Sequence, residues 1–180
     1  MKQNLLIAAL GMIAVWIVFK YFYPYADYFS DSYSYIHAAA ERDAIGYRPI
    51  GYSIFLRFVH LVSKSDTFLV TLQYVVVQGA SLLFLVYLWR WFPVAMWVQR
   101  LSLVFITLNP VMPYTCNYVS SDALFIAMSL LWLSLLMSMI LRPVWWKLWV
   151  QLVLLVVIFN TRYVALFYPA VAAIAFFLAK

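Results

Sequence analysis

Charge is what this sequence has least of. Only 10% of its 180 residues are Asp, Glu, Lys or Arg, against 68% hydrophobic and 20% aromatic, and so little polar surface cannot cover a soluble domain of this size. The chain is therefore expected in a membrane. Cysteine occurs once, as Cys116, which excludes an internal disulfide and leaves the redox compartment unread. No Cys/His grouping has the spacing of metal ligands. The net charge of +6 comes from basic residues scattered singly between apolar runs, without a basic groove or arm. That pattern speaks against a nucleic-acid partner and for membrane lipid, through anionic headgroups or a lipid phosphate. Internal repeats, low-complexity segments and a second soluble domain are all missing, so residues 1–180 read as one transmembrane domain.

What the chain does have is long apolar runs. The first, Leu5 to about Tyr23, approaches the ~20 residues needed to cross the hydrocarbon. Bulky Tyr21, Phe22 and Tyr23 stand where a signal peptidase wants small residues, so the run is expected to be a retained span. Further spans are expected at about Thr67 to Trp89, Val94 to Tyr114, Ala123 to Leu141, Val144 to Phe159 and Tyr163 to Ala179. The fifth is short, and Lys147 is expected to snorkel to lengthen it. Ser53 to Val62 is too short to span; with Arg57 and His60 among apolar positions it reads as an amphipathic helix on the membrane surface or against the bundle. The expected fold is all-α: a polytopic helix bundle of about six transmembrane helices, whose first outer loop (23–66) carries short amphipathic helices.

With the N-terminus cytoplasmic, the inner face receives Lys2, Arg90, Arg100, Arg142, Lys147 and Lys180 and no acid, as the positive-inside rule asks. The outer face then holds Asp27, Asp31, Glu41, Asp43, Asp66 and Asp122, every carboxylate in the chain. Cys116 falls in the outer connection before Asp122, so a membrane-impermeant thiol reagent is expected to reach it in intact cells.

Four of the six acids lie in one polar island, Tyr23 to Tyr52. Ser30 is placed to cap a helix from about Asp31 to Gly46. On it Asp31, Ser34, Tyr35, Ala38 and Arg42 share a face, with Asp31 at the positive end of the dipole and Tyr35 one turn behind. Asp31 is either a site carboxylate or a first-turn acid worth ~0.3–1 kcal/mol to the helix. Asp27, one turn earlier, is a second carboxylate of the site or a solvated residue. Glu41 and Asp43 flank Arg42 as a wetted helix end. Arg48, held extended by Pro49 in GYRPIGY, is a fork for a phosphate or an interfacial anchor. Asp122, with Ser120 or Ser121 as cap, opens a span as a helix-end acid or a functional one. Arg162 lies in a tight outer turn; burying it in hydrocarbon would cost about 2.5–3.5 kcal/mol, which puts it at the boundary, facing protein or a headgroup. His37 and His60 lack partners at ligand spacing and read as structural.

In this order the features resemble the N-terminal part of the multi-spanning GT-C type glycosyltransferases, the group that includes protein O-mannosyltransferases and the aminoarabinose transferase of lipid A. The resemblance rests on a first span and then Asp31-Ser-Tyr-Ser-Tyr35-Ile-His-Ala38. Arg48-Pro49-Ile-Gly-Tyr52 follows, running into the Ser53 to Val62 helix. After that come a span with Gln78 in its middle, a Pro110 to Tyr114 turn before Ser121-Asp122-Ala-Leu-Phe125, and finally Arg162-Tyr163 with Tyr168-Pro169. It covers nearly the whole chain.

The resemblance implies a bacterial inner-membrane enzyme that moves a sugar from a polyprenyl-phosphate donor to an acceptor hydroxyl on the extracytoplasmic face. Asp31 would take the proton from the attacking hydroxyl, Arg48 and Arg162 would clamp the phosphate, and Asp122 would orient the donor or one of the arginines. Asp27 and Tyr35 complete the expected substrate-binding set. The family varies in metal use, and a divalent metal is left open without a clear ligand cluster. Two departures stand out: members usually have more spans and often a C-terminal soluble domain, and many have a second acid where this chain has Ser32. The chain is thus expected to be the N-terminal portion of a larger protein or a shortened relative. The alternative is a non-enzymatic transporter segment or assembly subunit, for which polar groups near the bilayer midplane are expected.

Overall fold

In the computed structural model, residues 2–42 and 48–179 are described. They form α1 (Lys2–Phe22), α2 (Ser30–Glu41), α3 (Gly51–Val62), α4 (Asp66–Trp91), α5 (Met96–Leu108), α6 (Val111–Asn117), α7 (Ser121–Leu141), α8 (Trp145–Thr161), a 3₁₀ turn (Tyr163–Phe167) and α9 (Tyr168–Leu178). No named strand occurs among the described residues. The fold is all-helical, as the apolar runs predict. Three helices, α1, α4 and α7, are long and apolar enough to cross a membrane. At about 1.5 Å per residue, the 21 residues of α1 reach roughly 31 Å, close to the hydrocarbon thickness.

Of the other expected spans, Val144 to Phe159 is the continuous helix α8, and the remaining two are divided, for local reasons. The run Val94 to Tyr114 breaks into α5 and α6 at Asn109–Pro110. Proline lacks the N–H that a continuing helix needs and pushes the residue before it out of the helical region, and Asn109 is extended (φ −66°, ψ 110°). Its side-chain oxygen accepts from Val111 N at 3.0 Å instead. The run after Arg162 divides likewise into the 3₁₀ turn and the 11-residue α9. Lys147 is turned toward the end of α7, where its Nζ donates to Ser138 O (3.1 Å), Ser138 Oγ (2.8 Å) and Arg142 O (2.9 Å), placing a cation at the helix C-terminus.

The island helix also differs from expectation. Ser30 lies inside α2 and does not cap it; Phe29 holds the cap position, and Ser32 Oγ accepts from its N–H at 3.1 Å. The helix stops at Glu41, where Arg42 turns left-handed (φ 59°); Asp43 and the expected stop at Gly46 lie outside the described residues. Glu41 pairs with exposed His37 one turn earlier at 3.1 Å.

In lipid, helices associate through close packing and interhelical hydrogen bonds, because the tails are as apolar as the side chains. The main core joins α1, α3, α4 and α7 through Met12, Trp16, Val59, Val70, Val77 and Ala127, among others. Trp16 stacks on Tyr74 at 4.4 Å and donates to Thr71 Oγ1 at 3.2 Å, while Tyr74 donates to Met12 O at 3.0 Å. Leu6, Leu10, Ile13 and Ile17 of α1 point outward, as a lipid-facing side should. Amphipathic α3 buries Tyr52, Ser53 and Val59 and packs on α2 and α8. Gly51 makes that contact possible: a Cβ there would lie 2.6 Å from Asn160 O and 2.9 Å from Thr161 Oγ1.

Candidate active site at the acidic end

Where α1 ends and α4 and α7 begin, the fold brings the island onto the bundle. Asp31 sits in the first turn of α2, and the turn before α3 lays Arg48 against it, Nη2 to Oδ1 at 2.5 Å. The guanidinium also lies 5.8 Å from the centre of the Tyr35 ring, within reach of a cation–π contact. Ser30 Oγ donates to the same Asp31 oxygen at 3.3 Å. Oδ2 has no hydrogen-bond donor among the described residues.

A second pair is built at the start of α7. Ser120 caps it, accepting from Asp122 N at 3.4 Å and donating through its hydroxyl to Asp122 Oδ2 at 3.0 Å. The extended residue Arg162 at the end of α8 reaches across to Asp122 Oδ1 with Nη1 at 2.6 Å. Its Nε donates to Ser121 Oγ at 3.2 Å.

Ser121 joins the two pairs. Its hydroxyl is 3.0 Å from Tyr35 Oη, and both side chains are buried. A serine oxygen has two lone pairs and one proton, so it can accept from Arg162 and still bond the phenol. Asp31, Arg48, Tyr35, Ser121, Arg162 and Asp122 thus form one continuous set drawn from α2, the turn before α3, α7 and the end of α8. Each arginine holds one carboxylate through one nitrogen, and Arg162 is oriented further by its Nε bond to Ser121.

Tyr52 and Gln73 support this set from below. The Tyr52 ring meets Tyr35 edge to face at 5.0 Å, and its hydroxyl donates to Gln73 Oε1 at 2.7 Å. Burial pushes the Tyr52 hydroxyl well above the usual phenol range, with the neighbouring Tyr35 adding to the effect, so it remains a donor. Gln73 Nε2 in turn donates to Cys116 O (2.9 Å) and Tyr118 O (3.0 Å), tying the loop before α7 to α4. Gln73 reads in the sequence only as a polar residue in a span. Its choice of partners depends on where α6 ends.

Asp27 takes a different place from that expected of a second site carboxylate. Its backbone forms a parallel bridge with Tyr118, accepting from Val119 N at 3.0 Å and donating to Asn117 O at 2.9 Å. Its Oδ2 accepts from Asn117 Nδ2 at 2.7 Å, and Asn117 Oδ1 accepts from Lys20 Nζ at 2.9 Å. Asp27 therefore fastens the chain after α1 to the chain before α7, without touching the set of six. Gln78, the mid-span position of the family resemblance, makes no side-chain hydrogen bond among the described residues.

Cys116 is fully buried. This corrects the expectation that a thiol reagent reaches it in the folded protein, since the sulfur is closed off from any reagent outside the fold. Among the described residues no three His, Cys, Asp or Glu side chains gather as a metal site. An open cavity of about 830 Å³ adjoins Asp122, lined also by Phe29, Tyr114, Tyr118 and Ser120. No protein-family model, curated protein or solved structure matches this chain.

Proposed function

We propose that this chain is a membrane glycosyltransferase, or the catalytic part of one, that moves a sugar from a polyprenyl-phosphate donor to an acceptor hydroxyl on the extracytoplasmic face. The observation that carries the reading is the linkage of Asp31–Arg48 to Asp122–Arg162 through Tyr35 and Ser121 at one end of the bundle. In the proposed reaction Asp31 Oδ2, without a donor among the described residues, takes the proton of the acceptor hydroxyl. The hydroxyl oxygen attacks the anomeric carbon, and the bond from that carbon to the phosphate oxygen breaks. The electron pair leaves with the polyprenyl phosphate, which changes from a singly charged diester to a more highly charged monoester. Arg48 and Arg162, oriented in advance, face that developing charge. The phosphate is a stable leaving group, so a base and a cationic clamp suffice.

On this reading α1, α4, α5–α6, α7, α8 and the 3₁₀ turn with α9 make six passes, with the N-terminus and Arg90, Arg100, Arg142 and Lys147 cytoplasmic. Incubating membranes that carry the chain with labelled polyprenyl-phosphate sugars tests the activity, and transfer lost with the Asp31→Asn variant is the expected result. A transporter segment is the second reading, favoured by the buried side-chain amides of Gln78 and Gln151, which lack hydrogen-bond partners among the described residues. Uptake of a labelled sugar lipid without product formation would select it.

A further inference from the structure

The base and the two arginines account for proton and phosphate, but nothing in them holds a sugar ring. We propose that the cavity beside Asp122 is a seat for a pyranose ring, with Tyr118 and Tyr114 as aromatic walls and Asp122 and Ser120 as its polar floor. This rests on the transferase reading only for the origin of the ring, donor or acceptor; the recognition chemistry is the same for both.

The cavity suits such a ring in size, lining and rigidity. Its volume of about 830 Å³ lies within the range of small-molecule sites, roughly 300–1,000 Å³. A pyranose presents faces of C–H bonds and a rim of hydroxyls. The electron-rich face of an aromatic ring attracts the electropositive C–H edges, and a carboxylate accepts from the rim. Asp122 has capacity for that: Arg162 occupies one site on Oδ1 and Ser120 one on Oδ2, of about four a carboxylate offers. Pro110, Val111 and Ile126 make the rest of the lining largely apolar, and the carboxylate is what favours a hydroxylated ring there over an alkyl chain.

The walls are held in place by parts of the fold outside the cavity. Tyr118 is anchored through its backbone, by Gln73 and by the bridge to Asp27, and Phe29 meets its ring edge to face at 5.7 Å. Tyr114 donates to Tyr23 Oη at 2.6 Å and packs edge to face on Phe19 at 5.1 Å. A belt of tyrosines that merely sits among headgroups needs neither this bracing nor a carboxylate in the same cavity. Tyr25, 83% exposed and outside the cavity lining, represents that belt.

The test uses vesicles carrying the full chain and a panel of soluble pyranosides bearing a diazirine, with labelled peptides mapped by mass spectrometry. At least one pyranoside should label the segment 110–122 in preference to Tyr25. Labelling should fall at least tenfold in Tyr118→Ala and in Tyr114→Leu, and persist in Tyr118→Phe, which keeps the aromatic face. Tyr21→Leu, at an exposed position outside the cavity lining, should leave it unchanged. Competition by an unlabelled polyprenyl-phosphate sugar assigns the ring to the donor, and competition by free pyranoside alone assigns it to the acceptor. Labelling by no member of the panel, labelling equal at Tyr25, insensitivity to both tyrosine variants, or competition by neither ligand overturns the proposal. Labelling as expected without any sugar transfer would remove the transferase reading and leave the seat standing.

Discussion

Gly51→Ala is the perturbation whose effect follows most directly from the geometry. The added Cβ would lie 2.6 Å from Asn160 O and 2.8 Å from Asn160 C, whereas ordinary contact begins at 3.4 Å. The start of α3 and the end of α8 must therefore separate by about 0.8 Å at this point, the difference between those two distances. The two nearest atoms are backbone, so turning the third, Thr161 Oγ1 at 2.9 Å, does not relieve the clash. Overpacking of this kind costs about 1–3 kcal/mol. The displacement also reaches the site, because Arg48 precedes Gly51 by one short turn and Arg162 directly follows Thr161. A misplacement near 1 Å can cost on the order of 10²-fold in rate. We expect transfer to fall at least tenfold and the protein to unfold at lower temperature. Cys116 supplies the stability assay: its fully buried thiol should react with a fluorogenic maleimide only as the fold opens. Gly79→Ala is the control, since a Cβ there meets nothing within 4 Å, and it should be neutral or stabilising by about 0.5–1 kcal/mol as in other helix interiors. A Gly51→Ala protein with unaltered unfolding and unaltered transfer would refute the reasoning.

Four further outcomes are expected. Asp31→Asn should lower transfer by about 10²–10⁴-fold while leaving membrane insertion intact; a loss under tenfold would reduce Asp31 to a helix-dipole residue. Arg48→Lys and Arg162→Lys should insert normally but use the polyprenyl-phosphate donor poorly, because lysine lacks the planar fork. The defect should appear in donor KM if the contact is equal in ground and transition states, in kcat if it tightens on the departing phosphate, and unchanged kinetics in both would leave them as anchors. Tyr35→Phe and Ser121→Ala should each weaken transfer, and the double variant should be no worse than the more severe single one, since both break the same 3.0 Å contact; strict additivity would show that Ser121 does not link the pairs. For topology, with Cys116 replaced by Ser, a cysteine at exposed Tyr25 should react with an impermeant maleimide in intact cells. One at exposed Arg100 should react only after the membrane is opened, and the reverse pattern would invert the orientation.

The family resemblance singled out Asp31, Tyr35, Arg48, Asp122 and Arg162, and the fold brings all five into one set. Asp27 and Gln78 went elsewhere for reasons no local pattern contains. Asp27 meets Asn117 90 residues further along the chain, and whether an acid becomes a site or a fastening depends on which loop folds over it. The broken α5–α6 run was legible at Pro110, where hydropathy alone reads a single span; the covalent limits of proline decide there, not the polarity of the neighbours. The sequence offers Ser120 or Ser121 as the helix cap; the cap is Ser120, and Ser121 is turned inward to hold Tyr35 and Arg162.

The sequence by itself determined that this chain belongs in a membrane, that it is helical, and that its acids fall between apolar runs. Those properties depend on composition and on neighbours a few residues apart, which act before any tertiary contact exists. Only the tertiary structure decided which arginine pairs with which carboxylate, that Cys116 is shut away, and that an aromatic cavity opens beside Asp122. Such contacts join residues as far apart as Tyr35 and Ser121, 86 positions along the chain. Their distances are set by how α2, α3, α7 and α8 pack, with Gly51 allowing the close approach of α3 to the end of α8.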